Sequence, residues 1–293
     1  MKTFIALDVG GSSIKTALVN ACGDIVSPVL RVPSCSRSDA GTVTDRLAEA
    51  ISLINNRPES KNSPPSGIGF GFPGPFDYEK GISKMKGLGK FESIYGLPLI
   101  PVLREKTGLS LEMRFLNDAD LYALGEANFG QGRGYKRVFC FCIGTGIGSG
   151  FCEDGKLVKS GESVPENGWI YGTPCDGRIA DEVVSASGLR RMMKDNPALS
   201  GIKDVYELSL EARKGNPAAK ALLSRFGELL AAVILPHALR FKADCVVAGG
   251  DVSKSGDLFL SPLRTALAAH NIALNVSRKF SDMTLSAAPL LFD

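Results

Sequence analysis

The feature that most limits what this chain can fold into occurs twice. Near the start, TFIALDVGGSSIKTALVN is an apolar run, a glycine turn and a second run of strand-forming residues. From Arg137, RVFCFCIGTGIGSGFCEDGKLV repeats that order and adds a tight turn and a third strand. Set one beneath the other, Asp8-Val9-Gly10-Gly11 falls against Cys142-Ile143-Gly144-Thr145, and the turn at Gly23 falls against the turn at Gly155. Internal similarity of this kind constrains a fold more than any single motif. Each half should build its own sheet around a glycine-turned hairpin, so the expectation is an α/β chain of two related domains. The division is expected at 117/118, giving a smaller domain over residues 1–117 and a larger one over residues 118–293.

Periodicity supplies the remaining elements. ACGDIV turns into a third strand after the first hairpin. Residues 42–55 put Val43, Leu47, Ile51 and Ile54 on one helical face. GIGFGFPGP is a short strand running into a turn, and residues 97–107 read as a helix with prolines near its start, where they are tolerated. EMRFLND is a strand and ADLYALGEANFG the helix after it. Residues 217–241 space Leu222, Phe226, Leu229, Leu230, Val233 and Ile234 as a helix. ADCVVAGGDVS is a buried strand ending in glycines, and DLFLSPLRTALAAHN a further helix.

Charge argues against nucleic acid. The net charge is +3, and basic and acidic residues are interspersed, whereas nucleic-acid binding needs clustered basic residues. Lys84, Lys86 and Lys90 come nearest to a cluster and read as a solvated face. No window reaches the ~18 apolar residues that span a membrane. The N-terminus reaches a glycine turn too soon for a signal peptide. Seven irregularly spaced cysteines, with Cys140 and Cys142 in an apolar run, point to the reducing cytoplasm.

Three strand ends carry glycines: DVGGSSIK, CIGTGIGSG and VVAGGDVS. Glycine lets backbone N–H groups approach an anion with no Cβ in the way. One such loop is weak evidence; two in matching places, with a third, point to nucleotide phosphates. Asp8, just before the first glycines, can hold Mg²⁺ through water or cap its hairpin. Asp118, where a strand becomes a helix, can cap that helix. Asn117 and Asp120 could share the capping and leave Asp118 to act as a base.

Five segments in this order resemble the ROK family of sugar kinases and related repressors, within the actin–hexokinase–heat-shock ATPase superfamily. They are ALDVGGSSIK, GFGFPGP, LNDADLYALGEANFGQG, IGTGIGSGF and VVAGGDVS. The resemblance implies two actin-like (ribonuclease H-like) domains with an ATP and sugar cleft between them. It implies that Asp118 takes the proton from the sugar hydroxyl, that Asn117 binds the sugar beside the turn at Gly74, and that Asp8 orients Mg²⁺. It places Gly10, Gly11, Ser12 and Lys15, with Gly144, Thr145 and Gly146, around the ATP phosphates, and Gly249 and Gly250 against the adenosine. It also implies a homodimer and no nucleic-acid partner.

The chain departs from the family pattern over residues 160–182, SGESVPENGWIYGTPCDGRIADE. Many members have Glu-x-Gly-His there, then a cysteine cluster holding zinc. Here Trp169 stands in place of the histidine and the cluster is reduced to Cys175. Zinc needs about four ligands, and the only histidines, His237 and His270, are distant in sequence, so no zinc site is expected. Glu166 and Glu182 can still accept hydrogen bonds from a sugar, and Trp169 can stack on a ring or simply pack. GISKMKGLGKFESIYG lacks the family's sugar-binding asparagine.

The expected function is therefore ATP-dependent phosphorylation of a hexose or hexose derivative. A sugar-sensing regulator without a DNA-binding module, or a superfamily ATPase with a non-sugar substrate, would share much of this pattern. The sugar, the hydroxyl phosphorylated and the choice between ATP and polyphosphate as donor stay open.

Overall fold

The computed structural model describes the backbone of residues 1–293 and every side chain except that of Ser281. Contacts divide the chain into two compact units, Met1–Gly125 with Asp282–Asp293, and Glu126–Ser281.

The first unit is built on five strands: β1 (Thr3–Val9), β2 (Ser13–Asn20), β3 (Leu30–Pro33), β4 (Pro65–Phe72) and β5 (Glu112–Asn117). Their order is β3-β2-β1-β4-β5, with β1, β2 and β3 antiparallel and β4 and β5 parallel to β1. Two helices cover one face, α1 (Ala40–Asn55) and α2 (Leu99–Thr107). Asp39 caps α1 by accepting from Thr42 N at 2.9 Å. Val43, Leu47, Ile51 and Ile54 are fully buried in it, as their spacing requires. Pro98 stands at the N-cap of α2, and Gly108 ends it in the left-handed region at φ 68°. The core below contains Leu7, Ile14, Phe70, Phe72 and Phe115, and Phe70 stacks on Phe115 at 4.3 Å.

The opposite face is covered from far along the chain. A short helix, Met283–Ala287, and the turn after it lie against β1 and β4. The reason is written in β4, where Ile68, Phe70 and Phe72 alternate with Gly67, Gly69 and Gly71. Strand side chains alternate between faces, so this strand is bulky toward α1 and bare on the other side. A Cβ on Gly69 would lie 2.9 Å from Ala288 Cβ, and one on Gly71 2.5 Å from Thr284 Cγ2. Phe292 stacks on Phe4 at 4.8 Å, with Arg114 5.3 Å over its ring.

The third strand starts later than expected. ACGDIV makes the turn, but beyond it Ile25 makes only a single bridge to Val19, and the strand is Leu30–Pro33. Asn20 Oδ1 accepts from Cys22 N and Asp24 N and holds these residues in a turn. Ser27 Oγ then accepts from Leu18 N at 2.9 Å, where a strand carbonyl would otherwise stand.

The second unit repeats the topology. Its strands are β6 (Arg137–Ile143), β7 (Ile147–Glu153), β8 (Lys156–Leu157), β9 (Cys245–Gly249) and β10 (Ala273–Val276). They run β8-β7-β6-β9-β10 with the same antiparallel and parallel pairings. The chain enters this unit within α3 (Asp118–Phe129). Its other longer helices are α4 (Ala186–Lys194), α5 (Val205–Arg213), α6 (Pro217–Phe241) and α7 (Ser261–Ala268). Phe139, Phe141 and Phe151 are buried in one core with Phe226, Leu230, Ile234 and Phe241 of α6. Cys140 and Cys142 alternate with those phenylalanines along β6; Cys140 is fully buried, which pushes its thiol pKa well up. All seven cysteines are free thiols. Among the described residues, no helix is long and apolar enough to cross a membrane.

Candidate active site

In the first unit the hairpin turns between Val9 and Ile14, where Gly10 N donates to Ser13 O at 2.9 Å. A Cβ on Gly10 would lie 3.1 Å from that oxygen. The loop is held by its carbonyl side. Ser34 and Ser36 hydroxyls donate to Gly11 O at 2.8 and 2.5 Å, and Ser34 N donates to Ser12 O at 3.2 Å.

Register places Asp8 opposite Lys15 across the hairpin. Lys15 is buried, with Nζ 3.9 Å from Asp8 Oδ2 and 3.1 Å from Asp282 Oδ1. Burial raises the Asp8 carboxyl from 3.8 to about 7; Lys15 opposes this, while Asp118 and Asp282 add to it.

Asp118 is the first residue of α3, directly after β5. Asn117 does the capping: its Oδ1 accepts from Ala119 N at 3.0 Å and Asp120 N at 3.2 Å. One Asp118 oxygen shares the Ala119 N–H at 3.0 Å. Burial raises the Asp118 carboxyl above the ordinary value, against the Ala119 N–H and the charge of Lys90. The other end of Asn117 donates to Tyr78 Oη at 3.2 Å, and Tyr78 donates to Phe72 O at 3.2 Å. Gly74, at a cis bond to Pro75, completes this group, since a Cβ there would lie 3.0 Å from Tyr78 Oη.

The three lysines expected on a solvated face divide. Lys84 and Lys86 are exposed, and Lys84 pairs with Asp77 at 3.4 Å. Lys90 is half-buried, with Cδ 3.7 Å from the place a Gly11 Cβ would occupy. The sequence places it far from both Gly11 and Asp118, so only the fold reveals it.

In the second unit the corresponding loop turns between Ile143 and Ile147, where Gly144 N donates to Gly146 O at 2.9 Å. It is seated on the start of α4: Ala186 N donates to Gly144 O, and Ser187 Oγ to Thr145 O at 2.7 Å. Gly250, at φ 80°, lies under the loop, where a Cβ would be 2.4 Å from Ile143 O. Ser253 Oγ holds Gly249 O at 2.7 Å. Asp181 was missed in the sequence in favour of its neighbour Glu182. Its Oδ1 accepts from Ile147 N at 2.8 Å, and a Cβ on Gly146 would lie 2.3 Å from that oxygen.

Residues 160–182 form turns, a short antiparallel ladder of Pro174–Cys175 with Arg178–Ile179 and the start of a short helix, Ala180–Val183, with the turn at Gly168 pinned to β7. Ser149 Oγ donates to Gly168 O at 2.7 Å and accepts from Ile170 N at 3.0 Å. Glu166 is exposed, and Glu182 pairs with Arg178 at 3.3 Å. Trp169 is half-buried, tilted against Tyr171 at 6.2 Å, with its indole Nε1 buried and unpaired. His237, remote in sequence, reaches this segment, with Nε2 2.8 Å from Thr173 Oγ1.

Both loops fit a polyphosphate in kind. Each has glycine where a Cβ would crowd the turn, and in the second an anionic oxygen already accepts a loop N–H. Asp8 is a hard oxygen donor of the type Mg²⁺ takes through water. Among the described residues no three His, Cys, Asp or Glu side chains are grouped to hold a metal by themselves.

Comparison with known proteins bears on what this arrangement serves. A family model described as ROK family matches residues 4–284. A glucokinase of Thermotoga maritima is 28% identical over 280 residues, covering 89% of this chain and 85% of that protein. An N-acetyl-D-glucosamine kinase of Haemophilus influenzae is 27% identical over 290 residues, covering 91% and 90%. The structure of a ROK family glucokinase from Streptomyces griseus, in complex with glucose and AMPPNP, superposes with a TM-score of 0.79. It is 21% identical, with 99% of this chain and 98% of that one covered, and shows that the fold is shared.

Proposed function

The chain belongs to the ROK family, and from that premise we propose that it is an ATP-dependent kinase acting on a hydroxyl of a hexose or hexose derivative. One observation carries this: Asp118 stands at a strand-to-helix junction whose capping Asn117 performs, in the same unit as the Asp8 glycine loop.

ATP would supply the phosphoryl group, with Mg²⁺ offsetting its charge. Asp118 would take the proton of the attacking hydroxyl. Its raised pKa makes it a better base than an ordinary carboxylate, provided it is ionised at the working pH. Asn117, held by Tyr78 and the first N–H groups of α3, would orient the hydroxyl through its remaining N–H. Asp8 would orient Mg²⁺ through water, with Lys15 limiting the repulsion between neighbouring carboxylates. Gly10, Gly11 and Ser12 in the first unit, and Gly144, Thr145 and Gly146 in the second, would offer N–H groups to phosphate oxygens. Gly249 and Gly250 would leave room for the adenosine.

Sugar binding is the more specific part of the proposal. Gly74 and Asn117 are the sugar-binding candidates of the first unit; Glu166, Trp169 and Glu182 are those of the second. Glu182, paired with Arg178 through one oxygen, would accept a sugar hydroxyl on the other, and the buried Trp169 Nε1 has no partner among the described residues.

A coupled ADP-release screen over hexoses, N-acetyl-hexosamines and β-glucosides tests the proposal. One or a few sugars should stimulate release. Asp118→Asn, with its fold intact by circular dichroism, should lower kcat by on the order of 10²–10⁴. ADP release that is the same with every sugar as with none would refute it.

A further inference from the structure

The segment carrying Lys90 is tied to the first glycine loop on both sides of that residue. Arg37 Nε donates to Gly89 O at 3.1 Å, and Phe91 N donates to Ser36 O at 2.6 Å. Ser36 is the residue whose hydroxyl also holds Gly11 O. Gly87, Gly89 and Phe91 all have positive φ, at 73°, 68° and 55°. A phenylalanine in that region is strained. It persists here because its ring is fully buried, 5.4 Å from Phe72.

These constraints fix the backbone of Lys90, and its stem lies along Gly11. Ordering a lysine side chain costs conformational entropy. No ion pair within 4 Å offsets that cost among the described residues, although the charge of Lys90 does act on the Asp118 carboxyl. A lysine whose stem lies along a glycine loop and whose charge acts on the Asp118 carboxyl, unmatched by a salt bridge, is placed for a ligand that brings its own negative charge.

We propose that Lys90 is a further catalytic residue, whose ammonium contacts the oxygens of the phosphoryl group as it passes to the sugar hydroxyl. The proposal rests on the kinase function proposed above. In the step, the hydroxyl oxygen forms a bond to the terminal phosphorus, and the bond to the bridging oxygen breaks with its electron pair going to ADP. The hydroxyl proton goes to Asp118. Lys90 transfers nothing; it stays protonated and offsets charge that builds on the equatorial oxygens. A fixed cation at developing charge acts most strongly in the transition state.

Lys90→Met keeps the length of the stem and removes the charge, and Lys90→Arg keeps the charge. With the sugar found by the screen, Lys90→Met should lose about 100-fold in kcat while the sugar KM changes by less than about threefold. Titration with Mg²⁺, ADP and aluminium fluoride, a mimic of the transferring group, should show affinity at least about tenfold weaker, with binding of ADP alone unchanged. Lys90→Arg should restore much of both. A Lys90→Met protein matching the parent in kcat and in fluoride-complex binding overturns the proposal. So does a Lys90→Arg protein as impaired as Lys90→Met with an equally lowered melting temperature, since that marks a structural role. If the parent phosphorylates no sugar but Lys90→Met still weakens the fluoride complex, the sugar-kinase function falls and Lys90 stands. If the parent forms no such complex, both fall.

Discussion

Asp8 is a carboxylate that the fold holds against its own charge. Its folded pKa, about 7, lies above the ordinary value of 3.8, so between those values the folded protein binds a proton that the unfolded chain has released. Stability from this group is therefore full below about pH 4 and is lost as pH rises through 7, at up to about 1.4 kcal/mol per pH unit. Asp8→Asn has the same shape and no such cost. Its melting temperature relative to the parent should climb between pH 4 and 7 and level off above about pH 8; a difference independent of pH would count against the assignment. At this scale the sequence was readable only where chemistry sits beside its signal. Asp8 touches its glycines and Asp118 opens its helix, so both could be picked out. Lys90 comes to Gly11 across the fold, held by a buried phenylalanine in an uncommon conformation, and no local pattern announces that. Asp181 and Glu182 are neighbouring carboxylates, and only the turn of the backbone decides which meets the loop.

At the scale of elements, β4 shows what alternation can hide. GIGFGF reads as a strand running into a turn, and it is one, but its glycines are the complement of a segment more than 200 residues later. Gly69→Ala should destabilise the protein by about 1–3 kcal/mol, because its methyl would overlap Ala288. Ala288→Gly in the same chain should restore part of that loss in urea unfolding. Two purely additive losses would show that the two positions do not share a contact. The helices at 40–55 and 217–241 were legible because an apolar face repeats along them. The third strand starts later than ACGDIV suggests: Val26 N still donates to Leu18 O, but Asn20 and Ser27 side chains take neighbouring hydrogen bonds that a strand would make with its backbone.

Across the whole molecule, the duplication visible in two hairpins extends to two five-stranded sheets with the same order and the same pairings. The course of the chain between them was not visible. Residues 282–293 belong to the first unit, and they bring Asp282 to Lys15 and Phe292 to Phe4. Deleting them should bare the glycine face of β4. The shortened protein is expected to bind the dye ANS and to lose its cooperative melting transition, whereas a sharp melt close to the parent's would show that the layer is dispensable. The arrangement also has a consequence in time. On a ribosome, β1 to β5 emerge first but lack one covering layer until the whole of Glu126–Ser281 has been translated. At about 5–20 residues per second, that wait is roughly ten to thirty seconds. Throughout it the nascent chain presents a smooth, apolar sheet face to its surroundings. Chaperones that occupy such faces have their longest opportunity here, and a chain cut short before Asp282 never gains that layer.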